Sequence, residues 1–457
     1  MVGNGMAGAR VASELLRRDP ALRVTVFGAE PHAAYNRVLL SDVLAGRREA
    51  HDIALPDAAA AVRHLGAEVT GIDRAARTVR AADGTSAAYD VLVLATGSLP
   101  VVPAVHGIAG PDGRLLDGVF AFRTVEDCDA IAARARRART AVVVGGGLLG
   151  LEAARGLLQR GLRVELVHGA GHLMDVQLDA LAGDVLRRSV EALGVGVHLG
   201  SRAGRVLGTR SVRGVGLADG RQVSGDLVVL ACGVRPHVAL ARQAHLAVDR
   251  GILVDDQLRT DDPAVFAIGE CAQHRGEVYG LVAPAWEQAA VLAEIVTGGR
   301  ASYTGSRTIT RLKAMDLDVA AMGDTRPGLA DVRDGLDVLV WADPARHVYK
   351  KLVVRDGVLV GAVLVGDVST AGQVTQAFDR STPLPLDRTH LLVGARAAAG
   401  PPADDDTVCT CNAVTAGELR RSGCRTAGEA ALATRATTGC GTCTSVVSAL
   451  LLERTPA

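Results

Sequence analysis

Residues 141–150 read AVVVGGGLLG, an apolar strand that runs directly into a glycine-rich loop. Residues 151–154, LEAA, continue as a helical pattern. A G-x-G-x-x-G loop between a strand and a helix lets backbone amides approach a pyrophosphate at the positive end of the helix dipole. The stretch therefore predicts a dinucleotide-binding unit, whose candidate contact residues are Gly145, Gly147, Leu148, Leu149 and Gly150.

The strand that follows this unit, residues 163–167, ends at His168. An acidic residue at this position would hold the ribose 2′-hydroxyl of NAD. Histidine tolerates a 2′-phosphate, yet no arginine stands beside it in the sequence to bind one. The sequence therefore leaves NADH and NADPH open as donors, and an exposed strand-end residue remains an equal interpretation of His168.

A second loop of the same kind stands near the N-terminus, where residues 3–8 read GNGMAG. The loop opens a helical pattern and is followed by the β-like residues 23–27. Glu30 then stands at the spacing where an acid binds a ribose, so we expect nucleotide binding here too. Because only Met1 and Val2 precede Gly3, we expect either that the natural start lies upstream or that the first strand is stunted.

Composition excludes several classes of function. The 457 residues suit roughly three to four domains. The 50 basic residues balance 50 acidic ones and aromatic residues make up 3%, so neither a basic stripe nor stacking rings for nucleic acid are present. No apolar run approaches the ~20 residues of a membrane span, and the cysteines do not form the framework of a secreted protein. We therefore expect reduced thiols and a cytoplasmic location.

Further strands end in small-residue turns, in residues 89–98 (YDVLVLATGS), 231–236 (ACGVRP) and 265–270 (VFAIGE). The order of G-x-G-x-x-G, A-T-G-S, a second G-x-G-x-x-G, A-x-G-x-R-P and Gly-Glu resembles the two-dinucleotide flavoproteins, the pyridine nucleotide-disulfide oxidoreductases and ferredoxin reductases. In that family the first loop holds FAD and the final acidic turn contacts the flavin. The resemblance implies an FAD site lined by Gly3, Gly5, Met6, Ala7, Gly8, Glu30, Ala95, Thr96, Gly97, Gly269 and Glu270.

The residues after the first glycine loop narrow this resemblance to particular members of the family. Residues 35–42 read YNRVLLSD and contain no cysteine, which excludes a redox thiol beside the flavin. Together with residues 269–272 (GECA) and 279–284 (YGLVAP), the pattern is more similar to the flavin-binding part of assimilatory nitrite reductase large subunits and nitrate reductase electron-transfer subunits. This likeness adds Asn36 and Arg37 as candidate cofactor contacts.

Residues 306–396 alternate β-rich stretches with Gly and Asp turns and predict a small α/β domain. In the family such a domain packs beside the flavin and often shapes a dimer or partner interface, so a homodimer stays open. Lys350 and Lys351 are typical of a solvated strand end. Alternatively, they attract an acidic partner. Residues 397–406, AAAGPPADDD, have the composition of a linker.

Beyond the linker stand two close cysteine pairs, in residues 409–411 (CTC) and 440–443 (CGTC). The segment is too short for a large core, so a metal centre would hold it together. Between the pairs we predict two short helices with Thr415 and Thr426 as N-caps. Four thiolates also bind zinc, and a metal-free set of cysteines is a further alternative.

The spacing of these cysteines resembles the bacterioferritin-associated ferredoxin type of [2Fe-2S] domain, with Cys424 as a bystander. Because a flavin reductase pattern precedes the module, iron–sulfur is favoured over zinc. The resemblance implies that the metal ligands are Cys409, Cys411, Cys440 and Cys443.

Together these features predict an α/β protein with two Rossmann-like, three-layer ββα dinucleotide-binding domains, a small α/β interface domain and a small helical iron–sulfur domain. The predicted limits are 1–105 with 232–305 for the FAD-binding domain, 106–231 for the NAD(P)H-binding domain, 306–396 for the interface domain, 397–406 for the linker and 407–457 for the [2Fe-2S] domain.

By resemblance, NAD(P)H passes hydride to FAD, and the [2Fe-2S] cluster carries single electrons to a separate assimilatory nitrate or nitrite reductase. The cofactors carry the chemistry, so no side chain is expected to be catalytic. The sequence ends before any sirohaem region, which favours an electron-supplying component. Two alternatives stay open: a ferredoxin- or rubredoxin-reductase-like enzyme that serves another acceptor, and a redox-sensing FAD protein without turnover.

Overall fold

The computed structural model describes residues 1–56, 60–314, 317–393, 402–439, 441 and 443–452. The N-terminal segment begins with a helix that follows the first glycine loop and buries Val11, Ala12 and Leu15 at helical spacing. The elements of this segment are α1 (Met6–Arg18), β1 (Thr25–Gly28), α2 (Leu40–Leu44), β2 (Val62–Leu65), β3 (Val69–Asp73), β4 (Thr78–Ala81), β5 (Ser86–Ala88), β6 (Leu92–Leu94) and β7 (Ser98–Pro100).

The middle segment forms a five-stranded parallel sheet around the AVVV strand, and the helix after the second glycine loop packs on it through Leu151, Ala154 and Leu157. Its elements are β8 (Val119–Ala121), α3 (Val125–Ala135), β9 (Thr140–Val144), α4 (Leu148–Gln159), β10 (Arg163–Val167), α5 (Ala180–Ala192), β11 (Val195–His198), β12 (Ala203–Leu207), β13 (Gly214–Leu217), β14 (Gln222–Ser224) and β15 (Leu227–Leu230). The order in the parallel sheet is β11-β10-β9-β15-β8.

The chain then returns to the first sheet, where the next segment places a strand beside β6. Its elements are β16 (Val234–Pro236), α6 (Ala239–Gln243), β17 (Ile252–Val254), β18 (Val265–Ala267), β19 (Ala272–His274) and α7 (Val282–Val296).

The two parallel sheets share the arrangement of four of their five strands. Val2 forms parallel bridges with both Phe27 of β1 and Leu94 of β6, so the first sheet runs β2-β1-Val2-β6-β18. The first four places match β11-β10-β9-β15 in chain order, whereas the fifth place is filled by β18, which follows β6 in the chain, in the first sheet and by β8, which precedes β9, in the second. Val2 occupies the place of the first strand, between β1 and β6.

The third sheet is antiparallel, with the order β20-β21-β24-β23-β22. Val374 and Phe378 of its long helix pack on one face, and helices α4 and α5 of the middle segment contact the sheet as well. Its elements are β20 (Ile309–Ala314), β21 (Leu317–Gly323), β22 (Leu336–Asp343), β23 (Val348–Arg355), β24 (Val358–Val365), α8 (Ala371–Arg380) and α9 (Thr389–Val393).

Lys350 and Lys351 are not the solvated strand end that the sequence predicted, because their side chains are 0% and 1% exposed. Adjacent residues of β23 point to opposite faces of the sheet. Lys350 pairs with Asp367 at 2.8 Å, and Lys351 pairs with Asp179 at 2.5 Å, where α5 begins. Each buried ammonium therefore has the carboxylate partner that its burial requires.

The C-terminal cysteine module, residues 402–452, is small and mostly helical. Thr415 and Thr426 accept hydrogen bonds from the backbone N–H groups of Glu418 and Glu429, each at 3.2 Å, so both predicted N-caps are confirmed. Its elements are β25 (Thr407–Cys409), β26 (Val414–Thr415), α10 (Ala416–Arg421), α11 (Ala427–Thr434) and α12 (Thr444–Leu452). Of the predicted linker, residues 397–401 lie outside the described residues.

Among the helices of the described residues, none combines the length and the apolar character that a membrane crossing requires.

Candidate functional site

The first glycine loop is fixed by close contact with the residue that follows β6. Gly3 has a φ of +111°, and a Cβ built on it would lie 2.1 Å from the carbonyl oxygen of Ala95. A Cβ on Gly8 would lie 2.0 Å from the carbonyl oxygen of Gly3. A Cβ on Gly5 meets nothing closer than the Nε of Arg37 at 4.0 Å. The loop is therefore open only above the start of α1, where a helix terminus favours a phosphate.

The second loop repeats this geometry. Gly145 has a φ of +122°, and its Cβ would lie 2.1 Å from the carbonyl oxygen of Ala231, which follows β15. A Cβ on Gly150 would lie 1.8 Å from the carbonyl oxygen of Gly145, whereas Gly147 has no such neighbour within 4 Å. Both loops thus form the same cradle above a helix N-terminus, and both fit the pyrophosphate of a dinucleotide.

A cavity of about 1210 Å³ extends from the first loop. It exceeds the ~300–1,000 Å³ of ordinary ligand pockets, so it has room for a dinucleotide. Most of the predicted FAD contacts line it, namely Gly3, Gly5, Met6, Ala7, Glu30, Arg37, Ala95, Thr96, Gly97, Gly269 and Glu270.

The helix after the second loop reaches the same cavity. Leu148 and Leu149 line its wall, so the start of α4 borders the same space as the first glycine loop. The other predicted contacts lie outside this wall, namely Gly8, Asn36, Gly145, Gly147 and Gly150.

Glu30 stands at the cavity wall two residues beyond β1 and has two protein partners. Its carboxylate accepts a hydrogen bond from the Tyr35 hydroxyl at 2.6 Å and pairs with Arg37. Burial and this hydrogen bond raise the pKa of Tyr35, so the phenol stays a donor. Because a carboxylate has about four acceptor positions, Glu30 keeps capacity for a ribose hydroxyl.

Glu270 belongs to a charged cluster that the sequence did not reveal. It accepts a hydrogen bond from the Ser98 hydroxyl at 2.6 Å and pairs with Arg123, which also donates to the Ser98 oxygen at 2.7 Å. Arg123 lines the cavity from the turn before α3. The only local signal is its position before the N-cap Thr124, and a charged residue there is typical of a solvated turn.

Glu152 is a second cavity residue that sequence reasoning missed. It lies on α4 one helical turn after Leu148, so it shares the face of the helix that lines the cavity. Burial raises the pKa of Glu152 to about 7, and a hydrogen bond with Ser41 opposes that rise. The spacing between Leu148 and Glu152 in the sequence would have been sufficient to predict that Glu152 lies at the cavity wall.

The cysteine module brings Cys409 and Cys443 into contact. A hydrogen bond with Cys443 lowers the pKa of Cys409 to about 6, which favours the thiolate form that binds metals. Cys411 lies against Gly439, where a built Cβ would come 3.2 Å from its Sγ. The fourth predicted ligand, Cys440, follows Gly439 but lies outside the described residues.

Within the part of the chain that the structure describes, no three metal-ligating side chains converge closely enough to hold an ion by themselves. The thiol-only donor set of Cys409, Cys411 and Cys443 nevertheless fits an iron–sulfur cluster better than a hard cation.

Charged contacts hold the module against α1. Arg435 pairs with Glu14 at 2.7 Å, and Arg10 donates to the Oδ1 of Asn412 at 3.1 Å. Glu14 is 5% exposed. Burial alone would raise the pKa of Glu14, but the arginines around it hold that pKa below its usual value. Removing one partner of a buried pair is strongly destabilising, so we expect this docking to be fixed.

Asn36 joins the segment that borders the cavity to residues 438–439 of the cysteine module. Its Nδ2 donates to the carbonyl oxygens of Thr438 at 2.9 Å and Gly439 at 2.5 Å. Its Oδ1 accepts from the N–H of Val38 at 3.1 Å and caps a 3₁₀ turn. The side chain is 2% exposed. Asn36 therefore lies behind the cavity wall and binds the cysteine module.

The module also reaches the cavity directly. Four of its residues line the same space as both nucleotide loops, namely Thr407, Thr410, Cys411 and Ala413. A predicted cluster ligand thus lies at the wall of the predicted flavin site.

The first glycine loop and the helix start after the second loop border one cavity, an arrangement that is typical of oxidoreductases that bind two dinucleotides. The chain belongs to the pyridine nucleotide-disulphide oxidoreductase family, whose model matches residues 1–289. Models of the rubredoxin NAD+ reductase C-terminal domain and of the BFD-like [2Fe-2S] binding domain match residues 309–382 and 407–453. These matches confirm the predicted fold class and imply FAD, NAD(P)H and a [2Fe-2S] cluster as cofactors.

The chain is also similar to larger enzymes of nitrogen metabolism. It is 37% identical to the nitrite reductase [NAD(P)H] of Bacillus subtilis, over 99% of this chain and 57% of that protein. It is 38% identical to the nitrite reductase [NAD(P)H] large subunit of Klebsiella oxytoca, over 99% of this chain and 48% of that protein. The assimilatory nitrate reductase electron transfer subunit of Bacillus subtilis is 34% identical, over 99% and 59%. The chain spans about half the length of these curated relatives, and the predicted resemblance is confirmed.

Solved structures support the fold. The ferredoxin reductase for the CYP199A2 system from Rhodopseudomonas palustris superposes with a TM-score of 0.74 at 28% identity, covering 84% of this chain and 95% of that one. Putidaredoxin reductase, in its covalent complex with putidaredoxin, shares the fold with a TM-score of 0.76 at 24% identity, covering 87% of this chain and 98% of that one.

Replacing Glu152 by Gln is expected to stabilise the protein more at pH 8 than at pH 5. The pKa of Glu152 rises from 4.5 to about 7 in the fold, so the carboxyl contributes stability below pH 4.5 and loses it as the pH rises towards 7. The glutamine amide does not ionise. The free energy of unfolding of the variant therefore gains about 3 kcal/mol relative to that of wild type above pH 7. Thermal unfolding at both pH values checks this, with the exposed Glu277→Gln as control. An equal gap between Glu152→Gln and wild type at both pH values would contradict it.

Proposed function

We propose that the protein oxidises NAD(P)H at the second glycine loop and delivers the electrons, through FAD at the first loop and a [2Fe-2S] cluster in the cysteine module, to a separate nitrate or nitrite reductase. The observation that carries this proposal is the shared wall of one cavity. Met6 of the first loop, Leu148 of the second and Cys411 of the module all line it. This shared wall supports a proposal in which the acceptor site, the donor site and the exit for electrons are adjacent.

In this proposal the protein's own residues bind, orient and shield the cofactors. Bound FAD would supply the exchange between a two-electron hydride donor and a one-electron acceptor. Gly5 and the start of α1 would hold its pyrophosphate, and Glu30 would accept hydrogen bonds from its ribose. The pair of Arg123 and Glu270 would position the flavin end of the cavity. The domain limits given by the sequence are part of the proposal.

The nature of the acceptor is proposed from the relatives. Two of them are nitrite reductases and one is an electron transfer subunit for nitrate reductase. The name of the third relative, an electron transfer subunit, supports our proposal that the substrate-reducing component is a separate partner protein. The seven described cysteines form no disulfide, which fits a reducing compartment such as the cytoplasm.

Replacing Asn36 by Asp is expected to slow the electron transfer from flavin to cluster about tenfold, because two hydrogen bonds to the Cys440 loop are lost. The carboxylate keeps the acceptor for Val38 but sets a negative charge against the carbonyl oxygens of Thr438 and Gly439. Stopped-flow absorbance would follow flavin bleaching by NAD(P)H and then cluster bleaching.

Flavin reduction itself should keep its rate in this variant, because the residues lining the cavity are unchanged. Gln222→Glu, an exposed amide-to-acid change on β14, serves as the matched control and should alter neither phase. Unchanged cluster bleaching in Asn36→Asp would show that the contact of Asn36 with the module does not serve the relay.

The acceptor is tested by reconstitution under anaerobic conditions. NAD(P)H, this protein and a separately purified assimilatory nitrate or nitrite reductase should together consume nitrate or nitrite, and omission of this protein should stop the reaction. Rapid reduction of ferricyanide without any transfer to either reductase would leave the reductase activity in place and contradict the proposed acceptor. If NAD(P)H does not reduce the flavin at all, the proposed oxidoreductase activity is contradicted.

A further inference from the structure

His168, the residue that follows β10, forms hydrogen bonds within the protein through both of its ring nitrogens. The Nδ1 of His168 accepts a hydrogen bond from the N–H of Gly146 at 3.1 Å, so Nε2 carries the proton and donates to Asp175 at 3.0 Å. A Cβ built on Gly146 would lie 2.7 Å from the imidazole, so the ring packs directly against the second glycine loop. Both ring nitrogens are used, and the nearby carboxylate of Asp175 is bound to the ring.

An arginine from another loop lies beside this position. The side chain of Arg202, in the connection from β11 to β12, crosses Gly169, the residue after His168. A Cβ built on Gly169 would lie 2.8 Å from the Cγ of Arg202 and 3.5 Å from its Nε. The main chain fixes this approach, because the N–H of Gly200 donates to the carbonyl oxygen of Ala170 at 2.9 Å.

The guanidinium of Arg202 is available to a ligand. Arg202 is exposed, and the ion pairs of the described residues do not include it. Its backbone carbonyl accepts from the N–H of Ala218 at 2.9 Å, which anchors the base of the side chain. The Arg202 guanidinium therefore lies beside the end of β10 with unused hydrogen-bond donors. The nearby carboxylate of Asp175 is already bound to His168.

We infer that Arg202 binds the 2′-phosphate of NADPH, so that the protein uses NADPH in preference to NADH. This inference rests on the proposed function of the second loop as the nicotinamide nucleotide site. In such units an acid after the second strand selects the ribose hydroxyls of NAD, whereas an arginine nearby accommodates the 2′-phosphate. A planar guanidinium binds phosphate oxygens in pairs, which is a strong and specific contact.

The test is equilibrium binding of two probes, adenosine 2′,5′-bisphosphate and ADP, to the FAD-loaded protein by calorimetry. Neither probe requires hydride transfer. Wild type should bind the bisphosphate at least about tenfold more tightly than ADP, and Arg202→Gln should lose about tenfold in affinity for the bisphosphate alone. The KM for NADPH should rise in the same variant while that for NADH stays constant.

Arg205→Gln is the matched control. Arg205 is also exposed and crosses a glycine in the same manner, with its Cγ 2.8 Å from a Cβ built on Gly216, but it lies further along β12. It should leave the affinity for both probes unchanged.

The outcomes separate this inference from the proposed function. Wild type that binds ADP as tightly as the bisphosphate, or Arg202→Gln that weakens both probes equally, overturns the role of Arg202 and leaves the nucleotide site in place. Wild type that binds neither probe overturns the site and the inference together.

Discussion

The close approach of a glycine loop to the strand end beside it is the constraint on which both nucleotide sites depend. At Gly3 and again at Gly145, a side chain would collide with a carbonyl oxygen, that of Ala95 or Ala231. Either collision would push the loop away from its sheet and turn the following helix terminus away from the cavity. Because the contact occurs twice, in two sheets that share the arrangement of four strands, the same local architecture supplies both candidate dinucleotide sites.

Besides the charged contacts with α1, Asn36 joins the cysteine module to the segment that borders the cavity. Tyr35 and Arg37 bind Glu30 at the cavity wall, whereas Asn36 binds the loop before Cys440. Asn36 has an extended backbone, and successive side chains of an extended chain point to opposite sides. One short segment therefore contacts the predicted flavin site with two side chains and the predicted cluster loop with the third.

Local patterns in the sequence were sufficient for the glycine loops, the two threonine N-caps and the place of Glu30 after β1, because each depends on residues close to it in the chain, whereas the fold class followed from the order of motifs along the chain. The burial of Lys350 and Lys351 was not predictable, since their carboxylate partners come from other elements. Arg123 and Arg202 were missed for the same reason. Neither belongs to a motif, and only the folded chain brings them to Glu270 and to the end of β10.

The central claim is that electrons pass from the flavin site to the cysteine module within one chain. The most direct measurement is the rate of cluster bleaching after anaerobic mixing with excess NADPH, followed over a wide range of protein concentrations. Because Cys411 lines the cavity of the same molecule, the account predicts a first-order rate constant that does not change on dilution. A rate constant that falls in proportion to protein concentration would mean transfer between molecules and would contradict the account.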